Sequence, residues 1–208
     1  MPQTSVNTAE TLTPRGRRTR DALLAAARTV FETVGFPECR VELITTEAEV
    51  SYGTFYRYFE SKEHIFTELS TQLFEDVHRR EPVDPGRSPA ERLIASNRSY
   101  YRAYRRNAKM MAIVEQVATF NEEFRALRHE HRGQLIDRSA RAIARWQRAG
   151  LAAPGLDPVL AARAMAAMVD HTLYLWLVQG DDADEAALLD TLDRMCLGAL
   201  GLTAGAGE

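Results

Sequence analysis

Long apolar runs, secretory features and cysteines are all scarce in this 208-residue sequence. No apolar run reaches the roughly 18 residues of a membrane span, and residues 1–14, MPQTSVNTAETLTP, hold no apolar signal core. The two cysteines, Cys39 and Cys196, are far apart in the chain and have no neighbours typical of a metal site. These absences predict a cytoplasmic protein in a reducing compartment, with no membrane partner.

Motifs of catalysis and metal binding are also missing. The sequence contains no HExxH, P-loop, GxGxxG or GxSxG pattern. His129 and His131 would lie about 200° apart on a helix, which is a poor geometry for a shared metal ion. We therefore expect no enzyme activity, no catalytic residue, no metal and no cofactor, and an all-α enzyme is the least favoured of three functional classes.

Helical periodicity dominates the chain, and strand alternation is nearly absent. Apolar residues recur at helical spacing from Leu23 to Val34, and Gly35 follows where a helix C-terminal cap is expected. Ser61 suits the N-cap of a fourth helix, and EPVDPGRSPA (81–90) predicts a loop. Later helices are predicted over about 121–149, near 157–179 and over 183–200. The pattern predicts an all-α fold of about nine helices, with a short N-terminal trio and a larger C-terminal bundle.

Charge is unevenly distributed, although the net charge is only −3. Residues 13–20, TPRGRRTR, contain four arginines and no acid, whereas residues 180–185, GDDADE, contain four acids and no base. A basic arm beside a binding element favours nucleic-acid phosphates, so Arg17 and Arg18 are candidate DNA contacts. A solvated, disordered tail is the alternative interpretation.

The stretch EVSYGTFYRYFESKEHIF (49–66) combines six aromatic residues with a polar half. On a helical wheel Phe55 and Phe59 lie about 40° apart, which predicts one buried seam. Arg57 falls on the opposite side, with Gly53 and Thr54 beside it. A solvent-facing amphipathic helix would show the same pattern, but this front also suits a DNA major groove.

Each residue of that front has a plausible DNA partner. Arg57 is expected to form a bidentate hydrogen bond with guanine, and Thr54 to contact a base edge or a thymine methyl group. Tyr56 and Tyr58 are expected at phosphates on the rim, and Lys62 with the N-terminus of the next helix at further phosphates.

The residues from Arg17 to Phe66 resemble the DNA-binding domain of the tetracycline-repressor (TetR) family of bacterial transcriptional regulators. The matching pattern includes Gly35-Phe36, Val41 with Ile44, Ala48-x-Val50-Ser51, Gly53-Thr54-x-Tyr56-x-x-Phe59 and Ser61-Lys62-Glu63. The resemblance implies a helix-turn-helix, a homodimer on a palindromic operator and a C-terminal domain that binds a small effector. The candidate DNA-binding residues are Arg17, Arg18, Arg40, Ser51, Tyr52, Gly53, Thr54, Tyr56, Arg57, Tyr58 and Lys62.

The implied domains are a flexible basic arm (1–16), the helix-turn-helix domain (17–62), a ligand-binding and dimerisation domain (63–202) and a disordered tail (203–208). Several residues depart from the family pattern. Glu49 replaces the usual turn glycine, which costs roughly 1 kcal/mol if φ is positive. Arg40 replaces a capping hydroxyl residue but is still able to reach a phosphate. Glu42 stands where a basic or neutral residue is common. These departures leave the operator sequence open.

The C-terminal half is interpreted from its residues alone. The helix near 157–179 is apolar nearly all round, so it must be covered on more than one side. The resemblance implies that the last two helices form the homodimer interface. Aromatic residues and mobile methionines suit a cavity for a small apolar or aromatic effector, although each is more often plain core. The candidate ligand-binding residues are Tyr100, Tyr104, Met110, Met111, Val114, Val117, Phe124, Trp146, His171 and Tyr174.

A ligand-responsive DNA-binding repressor is the function that this sequence favours. The alternative is a helical small-molecule-binding protein that has lost DNA binding, an interpretation that Glu42 and Glu49 support.

Overall fold

The structure, a computed structural model, describes residues 12–79 and 86–203. Over these residues it contains nine α-helices and no strand, which confirms the predicted all-α fold. Most of the predicted arm (1–11), part of the predicted loop (81–85) and most of the predicted tail (204–208) lie outside the described residues. The helices are α1 Pro14–Glu38, α2 Val41–Glu47, α3 Tyr52–Phe55, α4 Lys62–Val77, α5 Pro89–Arg106, α6 Ala108–Phe120, α7 Glu122–Arg148, α8 Pro158–Tyr174 and α9 Glu185–Leu200.

Local sequence explains where these helices begin. Thr13 caps α1 by accepting a hydrogen bond from the Gly16 amide, so residues 14–16, which were placed in the arm, form the first turn of a helix. Ser88 and Glu91 form a reciprocal capping box at α5. The Ser61 hydroxyl accepts from the His64 amide at 3.2 Å, as expected of the N-cap of α4.

Gly35 interrupts α1 before its last turn. Its φ of 78° lies in the left-handed region, where a side chain would be strained. The predicted end of the regular helix at Gly35 is therefore confirmed, and the chain turns there toward α2.

The described chain divides into two compact units. The N-terminal unit comprises the residues up to Phe74 together with Lys109–Phe124. Its core is aromatic: the ring centroid of Phe66 lies 5.1 Å from that of Phe31, 4.8 Å from that of Phe36 and 5.0 Å from that of Phe124. The predicted boundary after residue 62 was drawn from the sequence and stays a prediction.

The C-terminal unit comprises Glu75–Ala108 and the residues from Arg125 onward. Apolar residues from α5, α7, α8 and α9 form its core, and Ile143, Ala162 and Leu200 belong to this cluster. A buried carboxylate also joins α5 to α9: Asp193 accepts hydrogen bonds from Asn97 at 3.0 Å and from Arg98 at 2.9 Å. Burial of that charge is tolerated because both of its oxygens have partners.

The end of α8 is irregular. The helix continues into a π-helical segment, Leu175–Gln179, that ends at Gly180 with a φ of 83°. Within this segment Trp176 stacks on Tyr101, with ring centroids 5.7 Å apart. π-helical turns are rare in proteins, and those that do occur often lie at functional sites.

Both cysteines are free thiols buried in the fold. Cys39 is 1% exposed and Cys196 is 0% exposed. Burial raises the pKa of the Cys39 thiol to about 11, and burial also raises the pKa of Cys196. Neither thiol is ionised near neutral pH.

Over residues 12–79 and 86–203, no helix is long and apolar enough to cross a membrane. In the same ranges, no cluster of three or more histidine, cysteine or acidic side chains has the arrangement of a metal site.

Candidate nucleic-acid interface

The segment from α2 to α3 forms a helix-turn-helix. Helix α2 ends at Glu47 with Ala48 as its C-cap, and Glu49 makes the turn with a φ of 52°. Ser51 caps α3, since its hydroxyl accepts from the Thr54 amide at 3.3 Å and pairs with the Thr54 hydroxyl at 2.8 Å. These local hydrogen bonds fix the start of the helix that carries most of the predicted DNA-binding residues.

The buried back of this element is the predicted phenylalanine seam. Phe55 and Phe59 are both 0% exposed, with ring centroids 5.7 Å apart, which confirms that prediction. Arg20 packs its guanidinium over the Phe59 ring, 5.3 Å from the centroid, and forms an ion pair with Glu68. Arg20 therefore holds α1 to α4 and is not an open charge of the basic arm.

The outer front of the element is exposed. Tyr52, Gly53, Tyr56 and Arg57 are exposed, and Thr54 is half-buried. The hydroxyls of Tyr52 and Tyr56 are 2.9 Å apart, and this hydrogen bond raises the pKa of Tyr52. Within the described residues the Arg57 side chain has no hydrogen bond or ion pair, so its five N–H donors face solvent.

Gly53 has no reason within the fold to be glycine. A Cβ built at this position meets no atom within 4 Å, and its φ is outside the left-handed region. A glycine in a helix costs about 0.5–1 kcal/mol relative to alanine. The bare backbone therefore suits a partner that approaches it from outside.

Tyr58 lies elsewhere than the helical wheel suggested. The α-helix ends at Phe55, with Tyr56 as its C-cap, and residues 56–58 form turns. Tyr58 is consequently packed into the N-terminal unit and only 6% exposed, whereas the wheel placed it at the rim. Its phosphate contact stays a prediction.

Lys62 already has partners inside the protein. Its ammonium donates to the carbonyls of Phe36, Pro37 and Cys39 at 3.0, 3.2 and 3.0 Å. It also lies 4.7 Å from the centroid of the Phe36 ring. The ammonium thus holds the chain after α1 to the start of α4, and its predicted phosphate contact stays a prediction.

The remaining predicted DNA contacts lie on the surface. Arg17, Arg18, Arg40 and Ser51 are exposed. Arg17 donates to the Leu12 carbonyl at 2.6 Å, which directs its side chain back along the first turn of α1. Arg40 occupies the N-cap position of α2 without a side-chain capping bond, so its guanidinium is available to a phosphate.

The ten predicted ligand-binding residues are divided between the two compact units. Met110, Met111, Val114, Val117 and Phe124 are buried core of the N-terminal unit, at most 4% exposed. Tyr100, Tyr104, Trp146, His171 and Tyr174 belong to the C-terminal unit. In that unit Tyr104 is 1% exposed, and His171 is exposed and stacks on Tyr174 with ring centroids 6.1 Å apart. Their effector role stays a prediction.

A polar cluster in the C-terminal unit was not predicted from the sequence. The Tyr100 hydroxyl donates to Asp170 at 2.7 Å. Arg132 and Arg128 lie 3.6 and 4.0 Å from the other carboxylate oxygen of Asp170. The sequence did hold a signal, because Arg128 and Arg132 are four residues apart and so share one face of a helix.

Comparison with known proteins agrees with this geometry. A family model described as "Bacterial regulatory proteins, tetR family" matches residues 23–69, the region from α1 into α4. The chain is 28% identical over 174 residues to the HTH-type transcriptional repressor KstR of Rhodococcus jostii (strain RHA1), which covers 83% of this chain and 77% of that relative.

Solved structures share the fold over nearly the whole chain. Salmonella enterica GusR superposes with a TM-score of 0.74 at 24% identity, covering 92% of this chain and 99% of GusR. The fatty acid degradation regulator FadR from Bacillus halodurans has a TM-score of 0.72 at 22% identity, covering 93% of this chain and 100% of FadR. At these identities the likeness concerns the fold.

Proposed function

The chain belongs to the TetR family of bacterial transcriptional regulators, and from this premise we propose that it represses transcription as a homodimer bound to a palindromic operator. A small apolar or aromatic effector releases it from DNA. The observation that carries the proposal is the exposed front formed by α3 and the turn that follows it. There a guanidinium without a partner among the described residues and a bare glycine backbone lie beside two phenols. A repressor must reach its operator, so the proposal places the protein in the cytoplasm.

The front formed by α3 and the following turn supplies the base contacts in this proposal. Arg57 reads guanine through a bidentate pair, because its guanidinium is exposed and matches the two major-groove acceptors of that base. Thr54 contacts an adjacent base edge or a thymine methyl group. Gly53 lets the backbone approach the groove without a side chain between them.

Phosphate contacts position the protein and come from residues around that front. Tyr56 and Tyr52 present exposed phenols, and Arg17, Arg18 and Arg40 present exposed guanidinium groups. Such contacts add affinity on any sequence, and they carry the salt dependence of binding.

The homodimer is proposed to form through α8 and α9. Apolar side chains remain exposed on these helices: Leu160 is 62% exposed and Met195 is 53% exposed. Leu160, Ala164 and Ala167 recur along one side of α8 at helical spacing, and all three are exposed. A second copy of the chain would cover this stripe, and two-fold symmetry would match a palindromic operator.

The surface charge of α2 favours one alternative function. Glu42, Glu47 and Glu49 are all exposed near the helix-turn-helix, and carboxylates there repel phosphates. On this alternative the chain is a helical small-molecule-binding protein that has lost DNA binding.

A mobility-shift titration with the DNA upstream of the protein's own gene separates the two. We expect a salt-sensitive shift, and Arg57→Ala should lose about 1–3 kcal/mol on that DNA but little on random DNA. Arg141→Ala, which removes an exposed arginine from α7, is the matched control and should bind like the wild type.

Gly53→Ala gives a second readout. It should stabilise the fold by about 0.5–1 kcal/mol, because the protein itself has space for the added Cβ. It should also weaken DNA binding in the mobility shift, because the added Cβ would collide with the major groove. No shift with either DNA would favour the alternative function. Equal binding of both DNAs by the wild type and Arg57→Ala would instead contradict the base contact of Arg57.

A further inference from the structure

The C-terminal unit contains a charged cluster that DNA binding does not use. Asp170 of α8 accepts the Tyr100 hydroxyl of α5 at 2.7 Å through one oxygen. Its other oxygen faces two arginines of α7, Arg132 at 3.6 Å and Arg128 at 4.0 Å. All four side chains are at least partly covered; those of Arg128 and Arg132 are 21% and 29% exposed. The cluster is thus largely sheltered from solvent but not fully buried.

Positive charge exceeds negative charge in this cluster. Two guanidinium groups face a single carboxylate, and Arg138 adds a third nearby by donating to the His78 carbonyl at 3.0 Å. The acidic residues of α7 in the same stretch, Glu130 and Asp137, are exposed and lie about 140–200° around the helix from the two arginines. Neither carboxylate is therefore on the face of α7 that carries the two arginines.

Arg132 has binding capacity that the protein leaves unused. Its 3.6 Å contact with Asp170 is too long for a good hydrogen bond, and in the described residues its guanidinium has no hydrogen bond. A guanidinium presents its N–H donors as a planar fork that fits the two oxygens of a carboxylate. A partly buried arginine without such a partner is costly unless something else supplies one.

Aromatic surface lies beside the charged group. The ring of Tyr100 is 6.0 Å from Tyr104 and 6.3 Å from His78, centroid to centroid. Burial lowers the pKa of His78 to about 4, so this ring is uncharged near pH 7 and its face adds to the aromatic surface. An apolar body would therefore find contact surface next to the arginines.

We infer that Arg132 and Arg128 form an anion subsite, and that the effector is an organic acid whose carboxylate binds these two arginines while its apolar body lies against Tyr100. This inference rests on the proposed function, since it specifies the chemical class of the proposed effector. Asp170 is a positioning residue in this arrangement, because it holds Tyr100 and draws both arginines to one side.

Three carboxylates and their neutral amides test the subsite on the full-length protein. Acetate, benzoate and octanoate are titrated in parallel with acetamide, benzamide and octanamide, with tryptophan fluorescence and calorimetry as readouts. We expect at least one acid to bind about tenfold or more tightly than its amide, a difference of about 1.4 kcal/mol. In Arg132→Gln the acid should bind no better than its amide.

Two further variants show whether the preference for the acid depends on the guanidinium group and on its position in α7. Arg132→Lys keeps a cation but not the fork, and it should retain part of the preference for the acid. Arg141→Gln removes an exposed arginine on the other side of α7 and should retain all of it. Each variant's melting temperature shows that it is folded.

The inference is overturned if no acid binds more tightly than its amide, or if Arg132→Gln keeps the preference. These titrations contain no DNA, so they succeed or fail separately from the mobility shift. A protein that shifts its DNA but shows no preference for acids would contradict the anion subsite alone, and one that prefers acids but shifts no DNA would contradict only the proposed repressor function.

Discussion

At the scale of single residues, Lys62 has two competing roles. The predicted role is a phosphate contact, but the ammonium already donates to three carbonyls after α1. If that internal role dominates, Lys62→Met should destabilise the fold by about 1–3 kcal/mol, because hydrogen bonds to a charged donor are lost. Its DNA binding should keep the salt slope of the wild type. Denaturant unfolding and mobility shifts over a salt series measure the two effects.

Arg40→Met is the matched control for that experiment. Arg40 is exposed and has no capping bond, so its loss should reduce the salt slope by about 0.9 and leave stability nearly unchanged. If Lys62→Met keeps full stability but has a shallower salt slope, Lys62 contacts a DNA phosphate and the internal role is not the dominant one.

Glu49 carries measurable strain. It is the one residue other than glycine with a positive φ in the part of the chain that the structure describes, at 52°. The left-handed conformation costs an ordinary residue about 1–2 kcal/mol, and glycine gives back about 0.5–1 kcal/mol through greater freedom in the unfolded chain. Glu49→Gly should therefore raise the free energy of unfolding by about 0.5–1 kcal/mol, measured by urea denaturation.

Glu47→Gly provides the contrast, since Glu47 is helical and also exposed. It should lower stability by about 1 kcal/mol. If Glu49→Gly is destabilising too, the turn is not strained.

At the scale of helices, the end of α4 gives a pH-dependent stability. Burial, assisted by Arg138 and His131, lowers the pKa of His78 to about 4, against an opposing effect of Asp170. The unfolded state therefore binds more protons than the folded state between about pH 6.5 and pH 4, and stability falls as pH falls through that window.

His78→Gln should remove this component. Between pH 7.5 and pH 4, the wild type should lose about 2–3 kcal/mol more unfolding free energy than the variant. Urea denaturation at several pH values measures the difference. Parallel curves for the two proteins would show that the imidazole titrates normally.

Helices were well predicted because their signals are local. Gly35 ends the regular part of α1 through its backbone freedom, and Ser61 caps α4 through its hydroxyl, so the sequence suffices. Phe55 and Phe59 were placed correctly because apolar spacing decides burial. Tyr58 was misplaced because the wheel assumed a regular helix beyond Phe55, where the structure has turns.

The long-range partners could not be predicted in the same way. Lys62 meets carbonyls 23–26 residues away, and Tyr100 meets a carboxylate 70 residues away. These pairings depend on how helices pack, which a single sequence does not reveal. The exposed front of α3 was predictable because the resemblance fixed its position, whereas the effector residues had no such pattern.

At the scale of the whole molecule, the exposed stripe of α8 makes assembly testable. Leu160→Glu places a charge in the proposed interface, where burial without a partner is costly. We expect the dimer dissociation constant to rise about a hundredfold, which corresponds to about 2.7 kcal/mol. Sedimentation velocity over a concentration series measures it, and DNA binding should weaken in parallel.

Val34→Glu is the control, because Val34 is an exposed apolar residue of α1, 39% accessible, in the N-terminal unit. It should leave the dimer intact. Should Leu160→Glu sediment like the wild type, α8 is not the interface.

The buried thiols have a consequence for spectroscopy. Cys39 and Cys196 are the only cysteines in the sequence, and both are covered and protonated near neutral pH. Since the thiolate is the reactive form, the native fold should label slowly with maleimides. A single cysteine placed at an exposed site such as Glu60 would then carry a spin label on a nearly silent background. In the proposed homodimer, the distance between the two labels would report how an organic acid changes the separation of the two helix-turn-helix segments.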